Sequence, residues 1–102
     1  MSLIFVYVTN PSKDEARKIA GVLIKKKLIA CTNIFPIESV YPWKGKIANE
    51  KEFVLIGKTY NRNYKNIVKE VEKVHPYEVP CIAKLPVTFN DKYEKWLKGE
   101  LR

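Results

Sequence analysis

The segment His75-Pro76-Tyr77-Glu78-Val79-Pro80 sets an imidazole, a phenol and a carboxylate between two prolines. Such groups ligate cations or move protons, and the prolines stiffen the backbone that carries them. Pro fixes φ and drives the preceding residue out of the helical region. A helix entering this segment therefore ends at His75, and an extended stretch begins at Val79. His75 and Glu78 with a thiolate form a reasonable donor set for a divalent ion. Cys31 and Cys81 are the two thiols, and soft thiolate favours Cu(I) or Zn. The same imidazole can instead satisfy the last carbonyls of a helix. With one His in the chain and three or four ligands needed, the structural role of His75 weighs slightly more.

Other polar groups converge around this segment. The sequence predicts a hairpin contributing Tyr41, Trp43, Lys58 and Thr59, the helix–strand junction contributing His75, Tyr77 and Glu78, and the tail contributing Tyr93 and Trp96. Trp43 and Trp96 read as core or interface residues. There is no nucleophile elbow, Gly-rich phosphate loop, metalloprotease helix motif or CxxC pair, and no Ser has a supporting motif. The expectation is a protein that is not an enzyme.

These residues need elements to hold them. Leu3–Thr9 is an apolar, β-branched and aromatic run, hence a strand. Ser12 and Glu15 make a capping box that opens a helix through about Lys26, with Ala16, Ile19, Ala20 and Leu23 on one face. Leu28–Phe35 is the second strand, interrupted at Pro36 and resumed through Val40-Tyr41. Its prolines require an edge position or bulges. A turn is expected at Ala48-Asn49-Glu50-Lys51, with Glu52–Tyr60 returning as the third strand. Asn61 or Asn63 caps a second helix striped by Tyr64, Ile67, Val68, Val71 and Val74. Pro80–Val87 is the fourth strand, and Asn90 or Asp91 opens a short helix carrying Tyr93, Trp96 and Leu97.

The order βαββαβ plus a small helix defines an α+β, ferredoxin-like sandwich, one domain over residues 1–102. In that topology the first and third strands are central, and both are apolar at nearly every position. A sheet with one wet face alternates instead. A second covering is therefore expected from other copies, in an obligate oligomer, and Val54→Asp is expected to weaken assembly. Cys31 and Cys81 fall on opposite edges, about 14 Å apart by strand spacing. That is beyond disulfide reach, and two cysteines fit a reducing compartment.

Nineteen Lys and Arg against eleven Asp and Glu give a formal charge of +8, which raises nucleic acid as a partner. The charge is nearly all Lys, spread over helix faces. The third strand, Glu52-Phe53-Val54-Leu55-Ile56-Gly57-Lys58, lacks the stacking aromatics of an RNA-recognition motif. Nucleic acid is unlikely on this reading. No apolar run approaches the ~18–20 residues that span a bilayer, and the N-terminus lacks a basic leader. A cytoplasmic protein without a membrane partner is expected.

Leu28-Ile29-Ala30-Cys31-Thr32-Asn33, then Ser39-x-Tyr41-x-Trp43-x-Gly45-x-Ile47, Lys58-Thr59, His75-Pro76-Tyr77-Glu78-Val79-Pro80 and Tyr93-x-x-Trp96 resemble the CutA divalent-cation-tolerance family, in order and at family spacing. The resemblance implies a homotrimer like the PII signalling proteins, with hairpins paired between subunits. It also implies a role in tolerance of divalent metals, copper especially, without established catalysis. Clefts between subunits would hold the ion, with His75 the matching ligand; Glu78, Cys31 or Cys81 are further donors that this chain itself could add. Val8 and Val74 stand where some members carry Cys and a second His, so a copper site of that kind keeps only His75. The alternative is a PII-like signalling trimer binding a small anionic ligand in the same clefts, which Lys58 motivates.

Overall fold

The structure, a computed structural model, describes residues 2–101. Its elements are β1 (Leu3–Asn10), α1 (Lys13–Lys25), β2 (Cys31–Trp43), β3 (Lys46–Tyr60), α2 (Tyr64–Val74), β4 (Ile82–Val87) and α3 (Asp91–Glu100), with one 3-10 turn at Asn61–Asn63. The sheet is antiparallel in the order β2-β3-β1-β4, so β1 and β3 are central and Cys31 and Cys81 belong to opposite edges. Both cysteines are free thiols.

The helices start close to their expected positions, but Asn63 and Asn90, at the N-caps of α2 and α3, make no side-chain capping bond, and Asn63 Nδ2 donates instead to Thr59 Oγ1 and the Leu28 carbonyl. Ser12 Oγ accepts the Glu15 N–H at 3.1 Å, one half of the expected capping box. The reciprocal bond is not made, and Glu15 Oε2 is buried without a partner among the described residues. At the other end of α1, Lys27 takes φ 58°, and Lys27 N–H and Leu28 N–H bond to the Ile24 and Leu23 carbonyls. This is a Schellman stop with lysine at the left-handed position, which costs about 1 kcal/mol relative to glycine. Two buried leucines, Leu23 and Leu28, meet across it and offset that strain.

α1 and α2 cover one face of the sheet. Ala16, Ile19, Ala20 and Leu23 of α1 and Ile67 and Val71 of α2 close on Ile4, Val6, Val8 and Leu55 as a single core. Gly57 belongs to this face, where a Cβ would stand 3.2 Å from the Ile29 side chain. Its lack of a side chain lets the segment before β2 cross close to the sheet.

The hairpin departs from expectation. β2 runs unbroken from Cys31 to Trp43, and the turn is Lys44-Gly45 rather than Ala48–Lys51, which lies inside β3. Lys44 and Gly45 have φ 50° and 77°. That is the two-residue turn whose twist matches a hairpin, with glycine at one of its two left-handed sites. The polar Asn49-Glu50-Lys51 run resembled a loop by composition but pairs with Ser39, Val40 and Glu38. Pro36 and Pro42 share the same parity in an unbroken register. Their missing N–H groups therefore face the open edge of β2, and no bulge is needed.

β1 ends at Asn10, paired with Phe53. Asn10 is buried and donates through Nδ2 to the Val8 and Phe53 carbonyls, closing this end of the sheet. Beyond it, residues 37–52 continue as a two-stranded ribbon, and the subunit measures 47 × 25 × 21 Å. The ribbon exposes Val40, Trp43 and Ile47 at 63%, 59% and 80%. An isolated two-stranded ribbon is marginal in water.

The second face is covered in part by the chain itself, contrary to expectation. Leu97 of α3 packs with Leu3 and Tyr60 at one end. At the other end Val54 is completely buried, beside the His75–Tyr77 segment that reaches Thr9 and Glu52. Between these ends Phe35 and Leu85 stay exposed at 39% and 49%.

Candidate functional site

Helix α2 ends at His75 with φ −73° and ψ 136°, the extended conformation that the following Pro76 demands. The imidazole turns inward and is 8% exposed. Its Nδ1 accepts the Tyr77 N–H at 3.0 Å, and Nε2 stands 2.8 Å from the Thr9 carbonyl. An acceptor at Nδ1 and a carbonyl facing Nε2 define the neutral tautomer with the proton on Nε2. Both ring nitrogens are thus used, Nδ1 to close the 75–77 turn and Nε2 to tie it to β1. His75 is a brace, and a metal would have to break one of these bonds to reach it.

The brace sets Tyr77 and Glu78 over the base of the ribbon. A cavity of about 610 Å³ lies there, lined by Thr9, Tyr41, Trp43, Glu50, Glu52, Pro76, Tyr77, Glu78 and Val79. Glu52, on the floor, is 7% exposed and accepts the Tyr77 hydroxyl at 2.6 Å. Burial and the neighbouring Glu52 carboxylate push the Tyr77 phenol well above its ordinary range, so it remains a neutral donor. The Tyr41 phenol is raised as well, chiefly by its bond to Glu50. Three carboxylates and three aromatic rings face one cavity in a chain of net charge +8.

Lys58, Cys31, Tyr93 and Trp96 sit elsewhere. Cys31 and Lys58 are register partners near the α3 end of the same sheet face. Lys58 Nζ lies 3.2 Å from the Tyr93 hydroxyl, 3.8 Å from Cys31 Sγ and 5.1 Å from the Tyr93 ring centre. Phe5, Phe89, Tyr93 and Trp96 form a chain of tilted rings with centroids 5.9, 5.3 and 5.6 Å apart. Glu52 and Lys58 share one face of β3 six positions apart, about 20 Å at ~3.3 Å per residue. The expected single cleft is therefore two poles within one subunit, acidic with Tyr41, Trp43, Tyr77 and Glu78, and basic with Lys58, Tyr93 and Trp96.

Two expected site residues are placed differently. Cys31, at the basic pole, is not brought to His75 and Glu78 within one chain. Thr59 lies on the helix-covered face, fully buried, where its hydroxyl donates to the Leu28 carbonyl at 2.6 Å and accepts from Asn63 Nδ2 at 3.0 Å. Strand alternation puts it opposite Lys58. Thr59→Val should cost about 1–3 kcal/mol by orphaning buried partners, readable in denaturant unfolding, and leave cation titrations unchanged.

Glu50 and Glu52 line the cavity without being expected there: the expected turn puts Glu50 in a loop and leaves Glu52 at the first position of its strand. The signal was available: a Lys44-Gly45 turn sets 50 and 52 on one face of a strand with two-residue periodicity.

Among the described residues no group of three or more His, Cys, Asp or Glu is arranged to hold a metal ion. The copper donor set of His75, Glu78 and Cys31 therefore does not fit within one subunit.

An antiparallel βαββαβ sheet with two helices on one face, a third on the other and a projecting ribbon defines the class: a ferredoxin-like α+β fold. The family model described as CutA1 divalent ion tolerance protein matches residues 4–100, and the chain belongs to that family. It is 46% identical over 83 residues to the divalent-cation tolerance protein CutA of Archaeoglobus fulgidus, covering 81% of each chain. It is 43% identical over 101 residues to the chloroplastic protein CutA of Arabidopsis thaliana, covering 97% of this chain but 56% of that one. The chain thus spans just over half the length of that plant relative. The solved structure of the periplasmic divalent cation tolerance protein CutA from A. fulgidus superposes with a TM-score of 0.94 at 39% identity, covering 98% of this chain and 99% of that one. No helix among the described residues is long and apolar enough to cross a membrane.

Proposed function

We propose that this protein serves tolerance of divalent cations without catalysing a reaction, as a cytoplasmic homotrimer that takes the ion weakly in clefts between subunits. The carrying observation is the convergence of Glu50, Glu52 and Glu78 on one cavity at the ribbon base. Carboxylates are hard oxygen donors that suit divalent ions generally. The set of His75, Glu78 and Cys31 is spread over one chain, so selecting copper would need donors from two copies. Among the described residues these carboxylates do not form a group that could hold an ion within one chain, so the site needs donors from water and a second copy. The exposed ribbon and the partly covered sheet face support that second copy, since apolar strands of this kind are stable when another surface covers them. Two free thiols on opposite sheet edges support a reducing compartment.

Native mass spectrometry of the metal-stripped protein, titrated with Cu(II), Zn(II) and Mn(II), tests this reading. Uptake per subunit is expected to fall by about tenfold or more in Glu50→Gln/Glu78→Gln, a change worth ~1.4 kcal/mol. Both side chains are exposed, so the variant should fold. Equal uptake by variant and parent would move the site away from this cavity. Lys58, a half-buried ammonium without a carboxylate partner among the described residues, favours the second reading, a PII-like trimer binding a small anion. Nucleotides and pyrophosphate in the same titration decide it, and no uptake ends it.

A further inference from the structure

The acidic and basic poles of the second sheet face are each incomplete. Glu52 is 93% buried by the complement of its 7% exposure, yet its hydrogen-bond partner is a neutral phenol. Among the described residues no Lys or Arg forms an ion pair with it. A carboxylate held away from water without a countercharge is costly. Lys58 is the converse, a half-buried cation held by a phenol and a thiol. The two cannot meet within one chain, because they are about 20 Å apart along the same face of the same strand. Between them Val54 is already buried within the chain, and the open apolar part of that face is the half-buried Ile56 of β3 with the exposed Phe35 of β2 and Leu85 of β4.

We infer that Lys58 of one copy enters the acidic cavity of the next copy and pairs with Glu52, so that each cavity is completed by a neighbour's lysine. This rests on the assembly reading above and adds the residue that the neighbour contributes. Unlike charges at the two ends of one apolar face are complementary to a second copy of that same face. Repeating the contact around a closed ring satisfies every Glu52 and every Lys58. The intervening apolar surface then packs sheet on sheet. Glu50 and Glu78, on the rim, keep their carboxylates for a divalent ion. Lys58 is a positioning residue here: it holds the cleft wall and carries charge into it.

A double-mutant cycle tests the pair. Glu52→Gln, Lys58→Met and the double variant are followed by analytical ultracentrifugation across a dilution series, with circular dichroism reporting the fold. Each single change is expected to raise the half-dissociation concentration about tenfold or more, and the double variant should be no worse than the poorer single. Independent effects that multiply, or none, would overturn the pairing while leaving the trimer intact. A parent protein that is monomeric would instead overturn the assembly reading itself. Should Glu52→Gln fail to fold, a carbodiimide coupling of mixed isotope-labelled and unlabelled parent chains decides the point. A Lys58–Glu52 amide joining a labelled to an unlabelled peptide is expected, and its absence overturns the pairing.

Discussion

Val54→Asp is expected to unfold the chain itself, whatever its effect on the proposed assembly. Val54 has no exposed surface within a single chain. A carboxylate there would lie beside β1 and the His75–Tyr77 segment. The Val54 site faces the same side of β3 as Glu52, so a second buried anion would be added near the first. An unpaired buried charge costs on the order of 4 kcal/mol or more, a large share of the ~5–15 kcal/mol that holds a domain. Loss of the far-ultraviolet signal at 25 °C, or a collapse of the denaturant midpoint, is the expected reading. Trp43→Ala is the contrast. Trp43 is 59% exposed on the ribbon, so the variant should keep its subunit fold and lose affinity between copies. A Val54→Asp protein that stays folded and oligomeric would contradict the burial.

His75→Ala should destabilise the protein by about 2–4 kcal/mol, because it orphans the Tyr77 N–H and the Thr9 carbonyl together, at ~1–3 kcal/mol each. The 75–79 turn would lose its tie to β1, and with it the placement of Tyr77 and Glu78 over the cavity. A fall in cation uptake by this variant therefore does not identify His75 as a ligand. His75→Gln separates the roles. Its amide N–H can still reach the Thr9 carbonyl, so part of the stability should return along with cation uptake. Urea unfolding with a parallel cation titration makes the comparison. A His75→Ala variant as stable as the parent would show that the imidazole is not a brace.

Much of the fold could be read from local signals. Apolar periodicity gave α1 and α2 their core faces, Ser12 and Pro76 gave a start and a stop, and the order of elements implied a sheet with β1 and β3 in the middle. The hairpin turn was misread because composition was weighed above geometry. Asn49-Glu50-Lys51 is polar for the reason that ribbon strands are wet, whereas Gly45 accepts the positive φ that the turn requires. Parity separates Thr59 from Lys58, although the two are neighbours in sequence and both are expected at the cleft.

By itself the sequence determined which residue types exist, where the chain must stop being helical, and that the central strands are too apolar for a sheet wet on one face. Those properties follow from steric limits and from periodicity, which act over a few residues. Only the tertiary structure decided that His75 spends both nitrogens on Thr9 and Tyr77, that Glu52 is buried beneath Tyr77, and that Lys58 stands at the far end of the same face. The His75–Thr9 and Tyr77–Glu52 contacts join residues 66 and 25 positions apart. No local pattern encodes such pairings, because they are selected by the packing of the whole chain.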